Sequence, residues 1–291
     1  MVPSVRMSDV AMPLVVGAEI LLDASDPEAL AREHVRLGYR AAICPEVSID
    51  DADRLVAIRE AFARHGVLIA EVGAWRNIQT PDAAVRKDNI AYVIDQLAVA
   101  DAVGARCCVD VAGSFDGATL SGPHPKNLSR EFFDATVETC RAIIDAVKPT
   151  RSFLTLEMKG WNLPDGPDSY LQLWRAIDRP AFAVHMDVFN AINSPYRFYG
   201  SGDFIRECFR ILGPHVKSCH GKDLAWIQPE KNVYFRETVP GRGGIDWTAY
   251  VSEIARIGAP LVLEHLTTTA DYQEGLRFVH GVAREAGVAI A

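Results

Sequence analysis

Short apolar runs, each closed by a polar or ionisable residue and followed by a longer amphipathic stretch, recur along this chain of 291 residues. Pro13 to Ala18 reads as a first strand. Asp26-Pro27-Glu28 then offers an N-cap, a proline at the first helical position and an acid in the first turn, opening a helix that runs to Gly38. Tyr39 to Cys44 is a second run, ended by Pro45, and a helix follows from about Asp50 to His65. Val67 to Val72 forms the third run and leads into Gly73-Ala74-Trp75-Arg76-Asn77. Thr80-Pro81-Asp82 caps a long helix stopping near Gly104. Arg106 to Ala112 is the fourth run, followed by a Gly-, Ser- and Pro-rich loop to Leu128 and a helix from Ser129 to Val147. The fifth run, Phe153 to Leu156, ends at Glu157. Asp168 is expected to cap the short helix after it, up to Asp178.

The sixth run, from Phe182, reaches Asp187 and gives way to a loop over 188–202 and a helix ending at Gly213-Pro214. The seventh, from Val216, ends at His220 and opens the longest loop, 221–245. Asp246 caps a helix to Ile257. The eighth run, after Pro260, ends at Glu264, and a helix from Asp271 closes the chain. Strands alternating with helices imply a parallel sheet, and eight such units predict closure into a (β/α)8 TIM barrel, one domain over residues 1–291. A doubly wound open sheet would need a glycine-rich phosphate turn after the first strand, and Gly17-Ala18-Glu19-Ile20 is not one. The loops point the same way. Connections from helix to strand are terse, whereas those after the fourth, sixth and seventh strands are long, and barrels carry function on that side.

Composition narrows the partners. A hydrophobic content of 49% suffices for a packed core, and the net charge of −8 comes without any block of like charge. That excludes nucleic acid or an anionic membrane as the main partner, because phosphate contacts require clustered Lys and Arg. It leaves a small phosphorylated ligand open. No apolar run reaches the roughly 18 residues of a membrane span, and Met1 to Asp9 lacks the apolar core of a signal peptide. The six cysteines show no C-x-x-C spacing, and Cys44, Cys107, Cys108 and Cys219 sit in apolar runs. A reduced, cytoplasmic protein is expected.

Four consecutive strand ends thus present Glu157, Asp187, His220 and Glu264. Neighbouring strands lie about 4.8 Å apart, so four adjacent ends span a distance that Glu and His side chains close inward. Any one of these residues alone is commonly a helix cap, a solvated loop residue or a hydrogen-bonded histidine. Four together, each ending an apolar run, read as one divalent-metal site. Three carboxylates and one imidazole form a hard set that suits Mn²⁺ best, with Mg²⁺ or Co²⁺ also fitting, while a structural zinc would recruit thiolates.

The segments Leu156-Glu157-Met158-Lys159-Gly160-Trp161, His185-Met186-Asp187-Val188-Phe189-Asn190, Ser218-Cys219-His220-Gly221-Lys222-Asp223, Pro240 to Trp247 and Leu263-Glu264-His265 resemble the xylose isomerase-like (β/α)8 superfamily of sugar isomerases and epimerases. The likeness covers the whole chain and is nearest in kind to the sugar phosphate isomerase/epimerase branch and the D-tagatose 3-epimerase type. It implies that Glu157, Asp187, His220 and Glu264 hold one divalent ion, with Glu157 and Glu264 also acting as the acid/base pair. Two positions depart from the pattern. Many members carry His where this chain has Asn190, and the ketose epimerases place Arg shortly after the strand-seven His, where this chain has Lys222 and then Asp223.

The chemistry expected is isomerisation or epimerisation of a keto sugar by proton abstraction next to a carbonyl, through an enediolate. The alternative is a metal-dependent lyase, a dehydratase or C-glycoside deglycosylase acting on a 3-keto sugar at the same site. Lys159, Asn190, Lys222 and Arg242 lie on loops suited to binding hydroxyls or a phosphate, and His124 has a similar claim. His185 precedes Asp187 by two and so points inward one layer deeper, as a substrate contact or a buried, satisfied histidine. Glu71 and Trp75 are candidates for the pocket wall. An abasic-site endonuclease of this superfamily would need further zinc-binding His residues, one at the position of Asn190, and a non-catalytic metal- or sugar-binding barrel would show no proton exchange. A homo-oligomer acting on a small sugar is expected.

Overall fold

The computed structural model describes residues 11–21, 25–227 and 233–291. The N-terminal reading over Met1 to Asp9 lies outside the described residues, as does the middle of the loop after His220. The apolar runs become short strands: β1 (Val16–Ala18), β2 (Ala41–Ile43), β3 (Leu68–Gly73), β4 (Cys107–Val111), β5 (Leu154–Glu157), β6 (Phe182–Met186), β7 (Val216–Gly221), β8 (Asp223–Trp226), β9 (Phe235–Thr238) and β10 (Leu261–Leu263). Eight of them close into a barrel in the order β1-β10-β7-β6-β5-β4-β3-β2, with every neighbouring pair parallel where its register is defined. The fold is a single-domain TIM barrel. No helix among the described residues is long and apolar enough to cross a membrane.

The helices are α1 (Pro27–Arg36), α2 (Ala52–Arg64), α3 (Ala83–Val103), α4 (Arg130–Val147), α5 (Pro167–Ile177), α6 (Val188–Ala191), α7 (Pro195–Tyr199), α8 (Ser201–Leu212), α9 (Trp247–Ile257) and α10 (Thr269–Glu285). Their starts follow from side-chain caps that satisfy otherwise orphaned amides. Asp26, Asp82, Ser129 and Asp246 each accept from a backbone N–H two or three residues on. Asp168 does not cap α5. That helix begins one residue earlier, at Pro167, behind Gly166 and without a side-chain cap, because proline presets the helical φ and has no N–H to satisfy. Two predicted loops also hold structure. Residues 188–202 contain α6 and α7, and β8 and β9 form an antiparallel hairpin within the loop after β7.

The main core fills the layer between barrel and helices. Inside the barrel a smaller apolar cluster of Ala41, Ala70 and Val262 is packed by Val15, Ile43 and Leu68. Nearer the mouth the lumen also holds polar residues, among them His185, Ser218 and His220, and a register slip adds another. Between Ala42 and Ile43 the pairing of β2 with β3 shifts, so that Ile43 stands beside Glu71. Such bulges re-aim side chains, and Glu71 is turned into the lumen. The long β4–α4 loop is a scaffold fixed at several points. Asn77 Nδ2 donates to the carbonyls of Ser114, Asp116 and Thr119, Asn127 Nδ2 to that of Gly122, and Asn162 Nδ2 to that of Gly113.

Candidate metal centre

Glu157 closes β5, His220 is the penultimate residue of β7, and Asp187 and Glu264 directly follow β6 and β10. One donor atom from each of the four lies within 4.8 Å of the others, and all four residues are buried. His220 Nδ1 stands 2.8 Å from Glu264 Oε2, 3.1 Å from Glu157 Oε1 and 4.0 Å from Asp187 Oδ2. An octahedral ion with ligands at about 2.1 Å sets adjacent ligands about 3.0 Å apart and opposite ones about 4.2 Å apart. The spacing is compatible with all four side chains holding one such ion. Asp187 Oδ1 accepts from the Phe189 and Asn190 amides at 3.0 and 3.1 Å, as the N-cap of α6. Its Oδ2 is buried without an aligned hydrogen-bond donor among the described residues, even though Lys222 Nζ lies 2.7 Å away. That orphaned oxygen is one a cation would satisfy.

Charge leads to the same fit. Glu71, Glu157, Asp187 and Glu264 carry four buried carboxylates, against the ammoniums of the buried Lys222 and the partly buried Lys159. With the His220 ring neutral, two negative charges are left over, which one divalent cation would cancel, and buried charge needs such compensation. Burial opposes a proton on His220, but Glu264 and Glu71 outweigh it and hold its pKa well above the ordinary imidazole value. Asp187 is pushed up to about 6, by burial first and then by repulsion from Glu157 and Glu264, against the pull of Lys222. Burial also works against ionising Glu157 and Glu264. Lys159 and His220 overcome it at Glu157, and His220 and Lys222 at Glu264, so both stay below the usual carboxylate range.

Below the four lies a second polar tier. His220 Nε2 stands 2.9 Å from Glu71 Oε1, and His185 Nδ1 stands 3.7 Å from Glu71 Oε2 and 2.6 Å from Ser218 Oγ. Burial, aided by His220, pushes His185 down to about 4, so its ring is neutral. At the mouth, Trp75 adopts φ 43°, an unusual conformation for a bulky residue, with its ring centroid 6.2 Å from that of His220. A Cβ on Gly73 would overlap the Trp75 indole nitrogen, so the turn needs glycine there. The Arg76 amide, next to Trp75, donates at 2.8 Å to Asp110 Oδ1, whose carboxyl is buried and pushed up to about 7 by that burial. A cavity of about 200 Å³ opens beside the cluster, lined by Lys222, Glu237, Glu264, His265 and Arg242 among others.

The sequence matches the xylose isomerase-like TIM barrel family over residues 32–281. The chain belongs to that family. Solved structures similar to this xylose isomerase-like barrel include a xylose isomerase-like TIM barrel protein of Mycobacterium smegmatis in complex with magnesium. It is 15% identical, with 94% of this chain and 97% of that one covered and a TM-score of 0.65. D-psicose 3-epimerase of Clostridium cellulolyticum H10, solved with D-tagatose, is 15% identical over 92% and 99% of the two chains, with a TM-score of 0.66. The 3-keto-D-glucoside 4-epimerase of E. coli is 12% identical over 92% and 99%, with a TM-score of 0.65. At these identities the likeness is one of fold. No curated protein matches the sequence.

Within this xylose isomerase-like barrel the remaining expected site residues fall at different distances from the cluster. Lys159 pairs with Glu157, and Lys222, expected to meet hydroxyls on a loop, is fully buried against Asp187 and Glu264. His185 lies in the lower tier. Asn190 sits on α6, with a buried amide nitrogen that has no hydrogen-bond partner among the described residues. Arg242 stands on the outer wall of the cavity, bound to Glu274 at 2.7 and 2.6 Å. His124 is turned to its own loop, taking the Lys126 amide and packing on Phe115. Glu237 and His265 were not foreseen. Glu237 Oε1 lies 3.5 Å from Lys222 Nζ, its Oε2 lies 2.7 Å from His265 Nδ1, and His265 Nε2 lies 3.5 Å from Glu264 Oε2.

Proposed function

We propose that the chain is a divalent-metal-dependent isomerase or epimerase of a keto sugar, with Glu157, Asp187, His220 and Glu264 as ligands and Mn²⁺ as the preferred ion. The observation that carries this reading is the placement of Glu157 and Glu264. They reach the same His220 nitrogen from β5 and β10, strands separated in the barrel by β6 and β7. A bound divalent ion would supply Lewis-acid stabilisation of negative charge developing on the carbonyl oxygen. One carboxylate then takes the proton from the carbon next to the carbonyl, and the other, once protonated, returns a proton to the opposite face. Glu264 lines the open cavity, from which solvent would supply the proton that it returns. Family membership and neighbours named as keto-sugar epimerases support the substrate class. Six unpaired cysteines favour a reducing, cytoplasmic setting.

The deciding experiment incubates protein loaded with Mn²⁺ in D₂O with a panel of free, phosphorylated and 3-keto sugars. Deuterium is expected at the carbon next to the carbonyl of one class, without loss of a substituent, and chelation should abolish it. Formation of an enone with loss of a substituent would make the chain a lyase instead. Exchange with no keto sugar, or exchange that survives complete removal of metal, would overturn the proposal.

A further inference from the structure

Glu71 reaches the metal cluster from outside the set of four. It sits on β3, across the barrel from His220, and is fully buried. Its Oε1 lies 2.9 Å from His220 Nε2, the ring nitrogen facing away from Glu157, Asp187 and Glu264. A neutral imidazole has one N–H and one lone pair, and a carboxylate only accepts. A carboxylate at Nε2 therefore fixes the N–H there and leaves the Nδ1 lone pair facing the other three. We propose that Glu71 is a positioning residue for the metal centre. It sets the tautomer and ring orientation of His220, strengthens Nδ1 as a donor, and is itself turned inward by the slipped β2–β3 register.

The geometry separates this role from plain packing. Glu71 Oε2 is buried and has no hydrogen-bond partner among the described residues, with His185 Nδ1 3.7 Å away. A carboxylate kept only to satisfy the core would be expected to use both oxygens, because a buried, unsatisfied polar atom costs about 1–3 kcal/mol. Here the one hydrogen bond that the carboxylate makes among the described residues is to His220. Ser218 Oγ pairs with His185 Nδ1 at 2.6 Å and with Cys107 Sγ at 3.1 Å. Ser218 is a neighbour of the device and a suitable control.

The inference rests on the proposed metal site, and its test separates the two. Metal affinity is measured by calorimetry for the wild type, Glu71→Gln, Glu71→Leu and Ser218→Ala, with folding checked by circular dichroism. The His220 Nε2 proton is followed by NMR in the Mg²⁺-loaded protein. Outer carboxylates of this kind are worth about 10–100-fold in metal affinity. Glu71→Leu should therefore lose affinity by that factor, along with the slowly exchanging Nε2 proton. Glu71→Gln keeps an acceptor oxygen and should fall between Glu71→Leu and the wild type, while Ser218→Ala should stay within about twofold of wild type. If Glu71→Leu fails to fold, Glu71→Gln alone decides the matter. Either variant, folded and binding metal as the wild type does, would sink the role of Glu71. A wild type that takes up no divalent ion would instead sink the metal site itself.

Discussion

Metal uptake should be linked to pH through His220, and the structure gives the size of the effect. The ring lies between Glu71 on one nitrogen and Glu157 and Glu264 on the other, and those carboxylates hold its pKa well above 6.5 in spite of burial. In the metal-free protein it is therefore an imidazolium at neutral pH. An ion bound at Nδ1 must displace that proton. Because the folded-state pKa is raised, the proton is present at every pH below it, so affinity climbs as pH rises toward that value and levels off above it. One proton per ion means tenfold in Kd per pH unit, or about 2.7 kcal/mol between pH 6 and 8. Below about 6 the Asp187 carboxyl also takes up a proton, and the slope should steepen toward two. Calorimetric titration of Mg²⁺ or Mn²⁺ in buffers of different ionisation enthalpy counts the protons directly. An affinity flat from pH 6 to 8, or no proton release at pH 7, would refute the reasoning.

Glu157→Gln and Glu264→Gln should each slow exchange of the carbon-bound proton by about 10²–10⁴-fold, a larger factor than their loss of metal, because glutamine keeps a ligand oxygen but cannot accept a proton. Deuterium incorporation at matched metal occupancy checks this, and near-normal turnover in either variant would reduce that glutamate to a ligand. Asp110, raised to about 7 by complete burial, should make stability fall as pH rises from about 4 to 7, since over that span the native state binds the proton and the unfolded chain does not. The cost of ionising it at pH 8 is roughly 4 kcal/mol. Asp110→Asn should therefore narrow the difference in urea midpoint between pH 5 and pH 8, and an unchanged difference would contradict the assignment.

The four candidate ligands were legible because each ends an apolar run, a pattern carried by a single stretch of chain. Glu71, a candidate only for the pocket wall, lies in just such a run, but nothing in that run places it beneath His220. What turns it inward is a register slip against β2 between Ala42 and Ile43, and pairing between strands is not written in either strand alone. Lys222 was expected on a loop, yet β7 extends to Gly221 and β8 begins at Asp223, so Lys222 continues the inward alternation of Ser218 and His220. Glu237 and His265 depend on a hairpin of four-residue strands, too short for alternation to mark. Asp168 misled as a cap because Pro167, beside it, already starts the helix.

The residues of the four-membered cluster come from β5, β6, β7 and β10, which are contiguous around the barrel. The rim is thus divided into a half that carries the four and a half that carries none of them. The β4–α4 loop leaves the rim at the end of β4 and is pinned from both sides, by Asn77, which follows β3, and by Asn162, which follows β5. Changes of length or composition in that loop would then reshape one sector of the mouth while the four-membered cluster keeps its geometry, so that the two parts of the rim are free to diverge separately.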